Sequence, residues 1–339
     1  MTYKVYACES PSMPIDIDAL RHPLTGLAEV IPVNMPFGTP DREGADGEAV
    51  KKAWERMADG DAFFVRSGDI TEKLLERCPK VKIVTVHGVG VEQFDVEACW
   101  ARGIEVTNVP GGNSNAVAEL AIGLMLDVAR GISRQDRRVR GGEWASCRVI
   151  GRELRGATLG IVGFGNIGRL LLQKAAGMGM SALAYDRYVD SAAVTAAGAT
   201  PAGLEELFQR SDYVSLHLPL TDETRRVVNA SLLARMKKTA FLINTSRGGV
   251  VDQGALYDAL VAGQLAGAGL DVQDPEPPLA APKAKDLATL DNVVLLPHCA
   301  GSTKECQAAI ARGGGEDIAR VLRGERPKSS VRGQIMSRK

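Results

Sequence analysis

A chain of 339 residues is long for one hydrophobic core, so two domains are expected. Lys+Arg and Asp+Glu both total 41, and a zero formal net charge argues against nucleic-acid binding as the main activity. The N-terminus "MTYKVYACES" has no basic-then-apolar signal pattern. No apolar run approaches the roughly 20 residues of a membrane-spanning helix. Six cysteines (Cys8, Cys78, Cys99, Cys147, Cys299 and Cys306) are scattered without a CxxC pair. They read as reduced thiols, not as disulfides or a zinc site, and the expectation is a soluble cytoplasmic protein with no membrane partner and no metal.

Along the chain, short β-branched runs alternate with amphipathic helical stretches, the pattern of a parallel α/β sheet. In the first third, "AFFVRSG", "VKIVTVHGVG" and "GIEVTNVPGG" read as strands ending in Gly- or Pro-Gly-rich turns, with "DITEKLLERCP" as a helix between the first two. "NSNAVAELAIGLMLDVARG" places Val117, Leu120, Ala121, Leu124, Met125 and Val128 on one helical stripe. Asn113 or Ser114 is its N-cap and Gly131 its stop. Six further strands follow: "TLGIVGFG", "SALAYD", "YVSLHLPL", "TAFLINTS", "AGAGLDV" and "NVVLLPH". They suffice for a nucleotide-binding sheet within residues 110–298. "STKECQAAIARGGGEDIARVLRGE" is then a helical stretch interrupted at Gly313 to Gly315, returning towards the first hundred residues, and "PKSSVRGQIMSRK" is a loosely held tail.

"GIVGFGNIGRLLL" contains G-x-G-x-x-G as Gly163, Gly165 and Gly168, directly after an apolar strand and opening a helix. That context turns a weak pattern into a dinucleotide-binding expectation. Gly163 allows the tight turn, Gly165 lets backbone amides approach a pyrophosphate, and Gly168 lets helix and strand pack closely. The helix N-terminus adds partial positive charge. Asp186, ending the next strand, has the spacing of the carboxylate that binds a ribose diol. It would repel a 2′-phosphate, so NAD is expected, while the adjacent Arg187 keeps NADP open as a secondary cofactor. The ordinary alternative is a structural turn with Asp186 as a strand-end cap.

Three later strands end in polar groups: Arg247 after "FLINTS", Asp271 and Glu276 in "GLDVQDPEP", and His298 in "LPHCAGST". Ligands of open parallel sheets bind beyond the carboxyl ends of the strands, so the three ends point to one crevice. Arg247 has the fixed fork that grips a carboxylate or carbonyl. His298 titrates near neutral pH and suits proton transfer. Glu276, bonded to the other ring nitrogen, would orient His298 and favour its charged form. Taken singly, Arg247 also reads as a surface ion-pair partner, Glu276 as a solvated loop carboxylate and His298 as a structural histidine. Cys299, beside His298, reads as a packed thiol or as a redox-sensitive one.

Taken together, "GVGVEQFDVEACWARGIEVTNVPGGNSNAVAE", "ELRGATLGIVGFGNIGR", "VSLHLPLTDETRRVVN", "LINTSRGGVVDQGAL", "GLDVQDPEP" and "LPHCAGST", in this order, resemble the D-2-hydroxyacid dehydrogenase family, with its phosphoglycerate dehydrogenase and glyoxylate/hydroxypyruvate reductase relatives. The resemblance implies an α/β protein of two Rossmann-like, doubly wound parallel sheets. A flavodoxin-like substrate domain would comprise residues 1–109 plus 299–339, and an NAD-binding Rossmann domain residues 110–298. It implies a reaction between a 2-oxo acid and a D-2-hydroxy acid, with Arg247, Glu276 and His298 as the catalytic set. Cofactor contacts are implied at Gly163, Gly165, Asn166, Ile167, Asp186, His217, Pro219, Thr224, Thr245, Asp271 (towards the nicotinamide carboxamide) and His298. Substrate contacts are implied at Arg66, Ser67, Gly68, Val89, Gly90 and Arg247. A second copy of the chain is the implied partner, through Ala116 to Arg130 and its neighbours. Arg66 matches an arginine of phosphoglycerate-type relatives, but Asp69 close by would oppose a dianion unless it points away or pairs with Arg66. A small unphosphorylated acid is therefore expected. No regulatory module is expected after the returning helix. Two other readings stay open: an NAD(H)-sensing corepressor-like scaffold with little turnover, and oxidation of a one-carbon or inorganic donor such as formate or phosphite.

Overall fold

A computed structural model describes residues 2–40, 45–144, 148–276 and 285–336. Cys147 and the last three residues of the tail lie outside the described residues. The chain forms two compact units, Met1–Asn113 with Ser302–Lys339, and Ser114–Gly301.

The first unit is built on five parallel strands: β1 (Tyr3–Glu9), β2 (Ala28–Asn34), β3 (Ala62–Val65), β4 (Ile83–Val86) and β5 (Glu105–Thr107), in the order β2-β1-β3-β4-β5. This is the flavodoxin-like order, with its switch between β1 and β3. All four residues of β3 and of β4 are buried, as expected of central strands covered on both faces. The strands β1 and β2 carry mixed polar and apolar residues, which is why no apolar run marks them in the sequence.

Two expectations for this unit are corrected. The returning stretch is one uninterrupted helix, Lys304–Leu322. Its glycines are packing positions: a Cβ at Gly314 would lie 2.3 Å from the Phe64 ring, and one at Gly315 would lie 2.9 Å from the Leu20 carbonyl oxygen. Close approach to β3 and to the helix Ile17–Arg21 therefore requires them, whatever their low helix propensity. The tail is tied down as well. Buried Asp317 accepts the amides of Lys328 (2.6 Å) and Ser329 (3.1 Å), Ser330 bonds Glu105, and the helix Val331–Met336 follows.

The second unit has seven parallel strands: β6 (Thr158–Val162), β7 (Ser181–Tyr185), β8 (Thr200–Pro201), β9 (Tyr213–Leu216), β10 (Phe241–Asn244), β11 (Gly267–Leu270) and β12 (Val293–Leu295). Their order is β12-β11-β10-β9-β6-β7-β8. The chain runs outward from β6 to β8, then returns past β6 to start β9. The strand order thus reverses between β6 and β9, the switch point where doubly wound sheets open a crevice. The helix Ser114–Arg130 lies against β10 and β11, burying Val117, Ala121, Leu124 and Met125. Gly269 of β11 lets it approach, since a Cβ there would sit 3.1 Å from that of Leu124. Gly131, in left-handed conformation, ends the helix.

Among the described residues no helix is long and apolar enough to cross a membrane, and no cluster of His, Cys, Asp and Glu could hold a metal ion. The five described cysteines are free thiols.

Candidate active site

The glycine turn joins β6 to the helix Asn166–Gly177. Gly163 has φ +97°, and a Cβ there would meet the His217 carbonyl oxygen at 2.6 Å. Gly168 packs its Cα against the Gly163 carbonyl, where a Cβ would come within 2.4 Å. Gly165, by contrast, has open space around it, and no side chain caps the helix it opens. The first amides of that helix, Asn166 and Ile167 among them, make no hydrogen bond among the described residues, the arrangement that suits an anion at a helix N-terminus. Asp186 stands beside this turn and is well bonded: Oδ2 accepts the Phe164 amide (2.7 Å), and Oδ1 accepts those of Tyr188 (2.8 Å) and Val189 (3.2 Å). It does cap the strand end. A carboxylate offers about four lone-pair sites, so a diol can still be bound.

Across the switch point, the ring of His217 is held by Ser215 at 2.9 Å through Nε2, while its buried Nδ1 has no partner among the described residues. Burial pushes this imidazole down to about 3, so it is neutral at working pH. Thr245 Oγ1, after β10, is likewise buried without a partner. Two orphaned polar atoms beyond β9 and β10, beside an open glycine turn, fit a dinucleotide that would satisfy them. Thr224 serves its own loop: its hydroxyl donates to the Pro219 carbonyl (2.6 Å) and accepts the Thr221 amide (2.8 Å).

Arg247, Glu276 and His298 come together beyond β10, β11 and β12. His298 Nδ1 is 2.7 Å from Glu276 Oε2, and Glu276 Oε1 accepts the Gln273 amide at 2.9 Å. The hydrogen bond that His298 donates to Glu276 raises the His298 pKa above its ordinary value, against an opposing effect of burial and of the Arg247 charge. For Glu276, burial pushes upward, but the bonds from His298 and the Gln273 amide outweigh it and hold the carboxyl below its usual range. Arg247 lowers both values through its charge, which places it in the same electrostatic neighbourhood. His298 has φ +52°, a left-handed conformation that disfavours a non-glycine residue.

Asp271 holds that conformation. It is 1% exposed, and its two oxygens accept the amides of Cys299 (2.8 Å) and Ala300 (2.9 Å), while its carbonyl accepts the His298 amide (2.8 Å). The residue expected to face the nicotinamide is thus a clamp on the His298 turn, with lone pairs to spare. Burial and the Asp271 charge push the Cys299 thiol up to about 11, so it is not a thiolate at neutral pH.

Some of this support has no separate motif in the sequence. Buried Asn244 accepts the amide (3.0 Å) and hydroxyl (2.8 Å) of Ser246 and donates to the Arg247 carbonyl (3.0 Å), shaping the turn that presents Arg247. Gly248 follows, where a Cβ would lie 1.9 Å from the Gln273 carbonyl oxygen. Only glycine lets the Arg247 turn touch the loop that carries Glu276. The cue, Asn followed by Thr, Ser, Arg and Gly-Gly, is an Asx-type turn signature.

The residues expected to contact the substrate other than Arg247 lie in the first unit. The Ser67 amide is taken by the Cys8 carbonyl (3.1 Å) and its hydroxyl by the Met35 carbonyl (2.8 Å). The amides of Gly68, Val89 and Gly90 make no hydrogen bond within the described residues and stay available to a carboxylate. Half-buried Arg66 donates to the Pro14 carbonyl and to Gln307. Asp69 accepts the Gly38 amide at 2.7 Å, so its carboxylate is engaged there and does not by itself exclude a dianion.

Comparison with known proteins shows the family. Residues 122–300 match the family described as D-isomer specific 2-hydroxyacid dehydrogenase, NAD binding domain. The chain is 40% identical over 291 residues to a D-3-phosphoglycerate dehydrogenase of Methanocaldococcus jannaschii, covering 85% of this chain and 55% of that protein. It thus spans little more than half the length of that relative. It is 41% identical over 287 residues to a glyoxylate reductase of Korarchaeum cryptofilum, covering 83% of this chain and 86% of the relative. Among solved structures, D-lactate dehydrogenase of Aquifex aeolicus, complexed with NAD and lactic acid, superposes with a TM-score of 0.76 at 28% identity, over 95% of this chain and 96% of that one. With an NAD-binding domain over more than half its length, the chain belongs to the D-isomer specific 2-hydroxyacid dehydrogenase family.

Proposed function

We propose that the protein is an NAD-dependent oxidoreductase that interconverts a small 2-oxo acid and the corresponding D-2-hydroxy acid, with Arg247, Glu276 and His298 as its catalytic set. The observation that carries the reading is the 2.7 Å contact between His298 Nδ1 and Glu276 Oε2, within reach of the Arg247 charge. NADH, when bound, supplies the hydride to the substrate carbonyl carbon. In reduction, protonated His298 gives its Nε2 proton to the carbonyl oxygen, and in oxidation it takes that proton back. Glu276 keeps Nδ1–H engaged, which fixes the ring and stabilises the imidazolium. Arg247 binds the carboxylate or carbonyl and offsets the charge that builds on oxygen. The Gly163–Gly168 turn would seat the pyrophosphate, Asp186 the adenosine ribose, and His217 and Thr245 the polar groups nearer the nicotinamide.

On the substrate, engagement of Arg66 by Pro14 and Gln307 supports an unphosphorylated acid of the size of glyoxylate, the substrate named for one relative. A second copy of the chain is the proposed partner. The helix Ser114–Arg130 buries most of its apolar side chains within its own unit, so the seat falls on the following segment, where Ile132, Val139, Trp144 and Ile150 are exposed.

NADH oxidation, followed by absorbance against glyoxylate, hydroxypyruvate, its phosphorylated form, pyruvate and branched 2-oxo acids, tests the proposal. The expected result is turnover with a small acid that is lost in Arg247→Ala while NADH binding persists. Equal turnover in Arg247→Ala would overturn the assignment.

A further inference from the structure

We propose that the ion pair between Arg187 and Glu223 straps the adenosine end of the cofactor crevice and makes Glu223 a determinant of cofactor choice, because it withholds Arg187 from the 2′-phosphate of NADP. The inference rests on the dinucleotide reading of the second unit.

Arg187 directly follows Asp186 beyond the carboxyl end of β7, and Glu223 lies in the loop beyond β9. In the sheet, β6 with its glycine turn lies between those two strands. A bond from Arg187 Nη1 to Glu223 Oε2, 2.5 Å long, therefore crosses the switch-point crevice instead of running along one side of it.

Both ends are braced. The three amides gathered by Asp186 fix the backbone around Arg187. The turn that presents Glu223 is closed by Thr224, through its bonds with Pro219 and Thr221. The pairing is thus a bond between two shaped turns.

An arginine next to the strand-end carboxylate is the residue type that accommodates a 2′-phosphate. A guanidinium prefers a phosphate or a carboxylate as a fork-shaped partner, and here the carboxylate is built in. Glu223 acts against NADP twice: it occupies the cation, and it adds a second negative charge near Asp186. NAD, with a free diol at that position, needs neither residue. The two side chains are 62% and 59% exposed, so the strap is weakly held and opens without undoing the fold.

The test is calorimetric titration of the wild type, Glu223→Gln and the double variant Arg187→Ala/Glu223→Gln with NADH and with NADPH, at one low ionic strength because the effect is screened by salt. Release of one charge-assisted partner should tighten NADPH binding by roughly tenfold in Glu223→Gln. NADH binding should stay within about twofold. The NADPH gain should vanish in the double variant. An unchanged NADPH affinity in Glu223→Gln, or a gain that survives removal of Arg187, overturns the strap while leaving the NAD assignment standing. A wild-type protein that binds neither dinucleotide overturns that assignment and the strap with it.

Discussion

The Nδ1 nitrogen of His298 lies 2.7 Å from Glu276 Oε2, and the other oxygen of that carboxylate is held by the Gln273 amide. The contact leaves Nε2 as the nitrogen free to reach a substrate, and it raises the pH at which the ring loses its proton. Reduction consumes that proton. Its kcat/KM should therefore stay level through the ordinary histidine range and fall only at higher pH. Oxidation needs the neutral ring and should rise across the same window. Glu276→Gln removes the charge that favours the imidazolium, so the falling limb should move to lower pH, with kcat reduced on the order of tenfold to a hundredfold. Profiles of wild type and variant in both directions check this. A limb that does not move would mean that Glu276 does not set the His298 proton.

Asp271 makes a second prediction, separable from the first. It is buried, and its carboxylate serves two backbone amides that hold the turn on which His298 takes φ +52°. Asp271→Ala would leave those amides without partners, at about 1–3 kcal/mol each. The left-handed residue would then relax towards an ordinary conformation. The expected outcome is a drop in Tm of several degrees, on a scale of roughly 2–4 °C per kcal/mol for a unit of this size. Turnover should be lost even at saturating NADH. Normal stability with weakened NADH binding alone would instead assign Asp271 to the cofactor.

The candidate catalytic groups were more legible in the sequence than the scaffolding that holds them. Arg247, Glu276 and His298 were readable because each follows an apolar strand, and strand ends of a parallel sheet face one crevice. The clamps could not be read that way. Asp271 reads in the sequence as a ligand of the cofactor, and nothing there shows that its oxygens also hold the amides of Cys299 and Ala300, which lie far from it along the chain. Asn244 carries no chemistry of its own, and its value lies in the turn it closes. The run Gly313 to Gly315 was misleading for a physical reason. Helix propensity describes an isolated helix, whereas here Phe64 and the Leu20 carbonyl set how close the helix must come. Asp69 was ambiguous because a side chain's direction is decided by a partner elsewhere, the Gly38 amide.

Gly248 carries a prediction about positioning without chemistry. A Cβ there would lie 1.9 Å from the Gln273 carbonyl oxygen and 2.7 Å from the Asp274 amide nitrogen, both backbone atoms that cannot rotate away. Gly248→Ala must therefore push the Arg247 turn and the Glu276 loop apart. Misplacement of about 1 Å costs on the order of a hundredfold in rate, so kcat/KM should fall by that order. The pH profile of the residual activity should also drift towards that of Glu276→Gln, as His298 loses its partner. The wild-type profile at reduced rate would show that the loop had yielded elsewhere.

Gly314 and Gly123 provide a paired test of what decides the fate of a helical glycine. Both lie inside long helices, where exchange for alanine stabilises by about 1 kcal/mol when nothing else changes. At Gly123 a Cβ meets nothing within 4 Å, so Gly123→Ala should raise Tm by a few degrees. At Gly314 a Cβ would fall 2.3 Å from Phe64 Cε2 and 3.1 Å from Thr85 Cγ2. Phe64 is fully buried and packs edge-on against His87 with ring centroids 5.4 Å apart, so it has no room to withdraw. Overpacking of this kind costs about 1–3 kcal/mol, which exceeds the helical gain, and Gly314→Ala should lower Tm. Opposite shifts in thermal unfolding are the expected outcome. Stabilisation of both variants would mean that the helix Lys304–Leu322 can lift from β3, and that its glycines are tolerated there without being required.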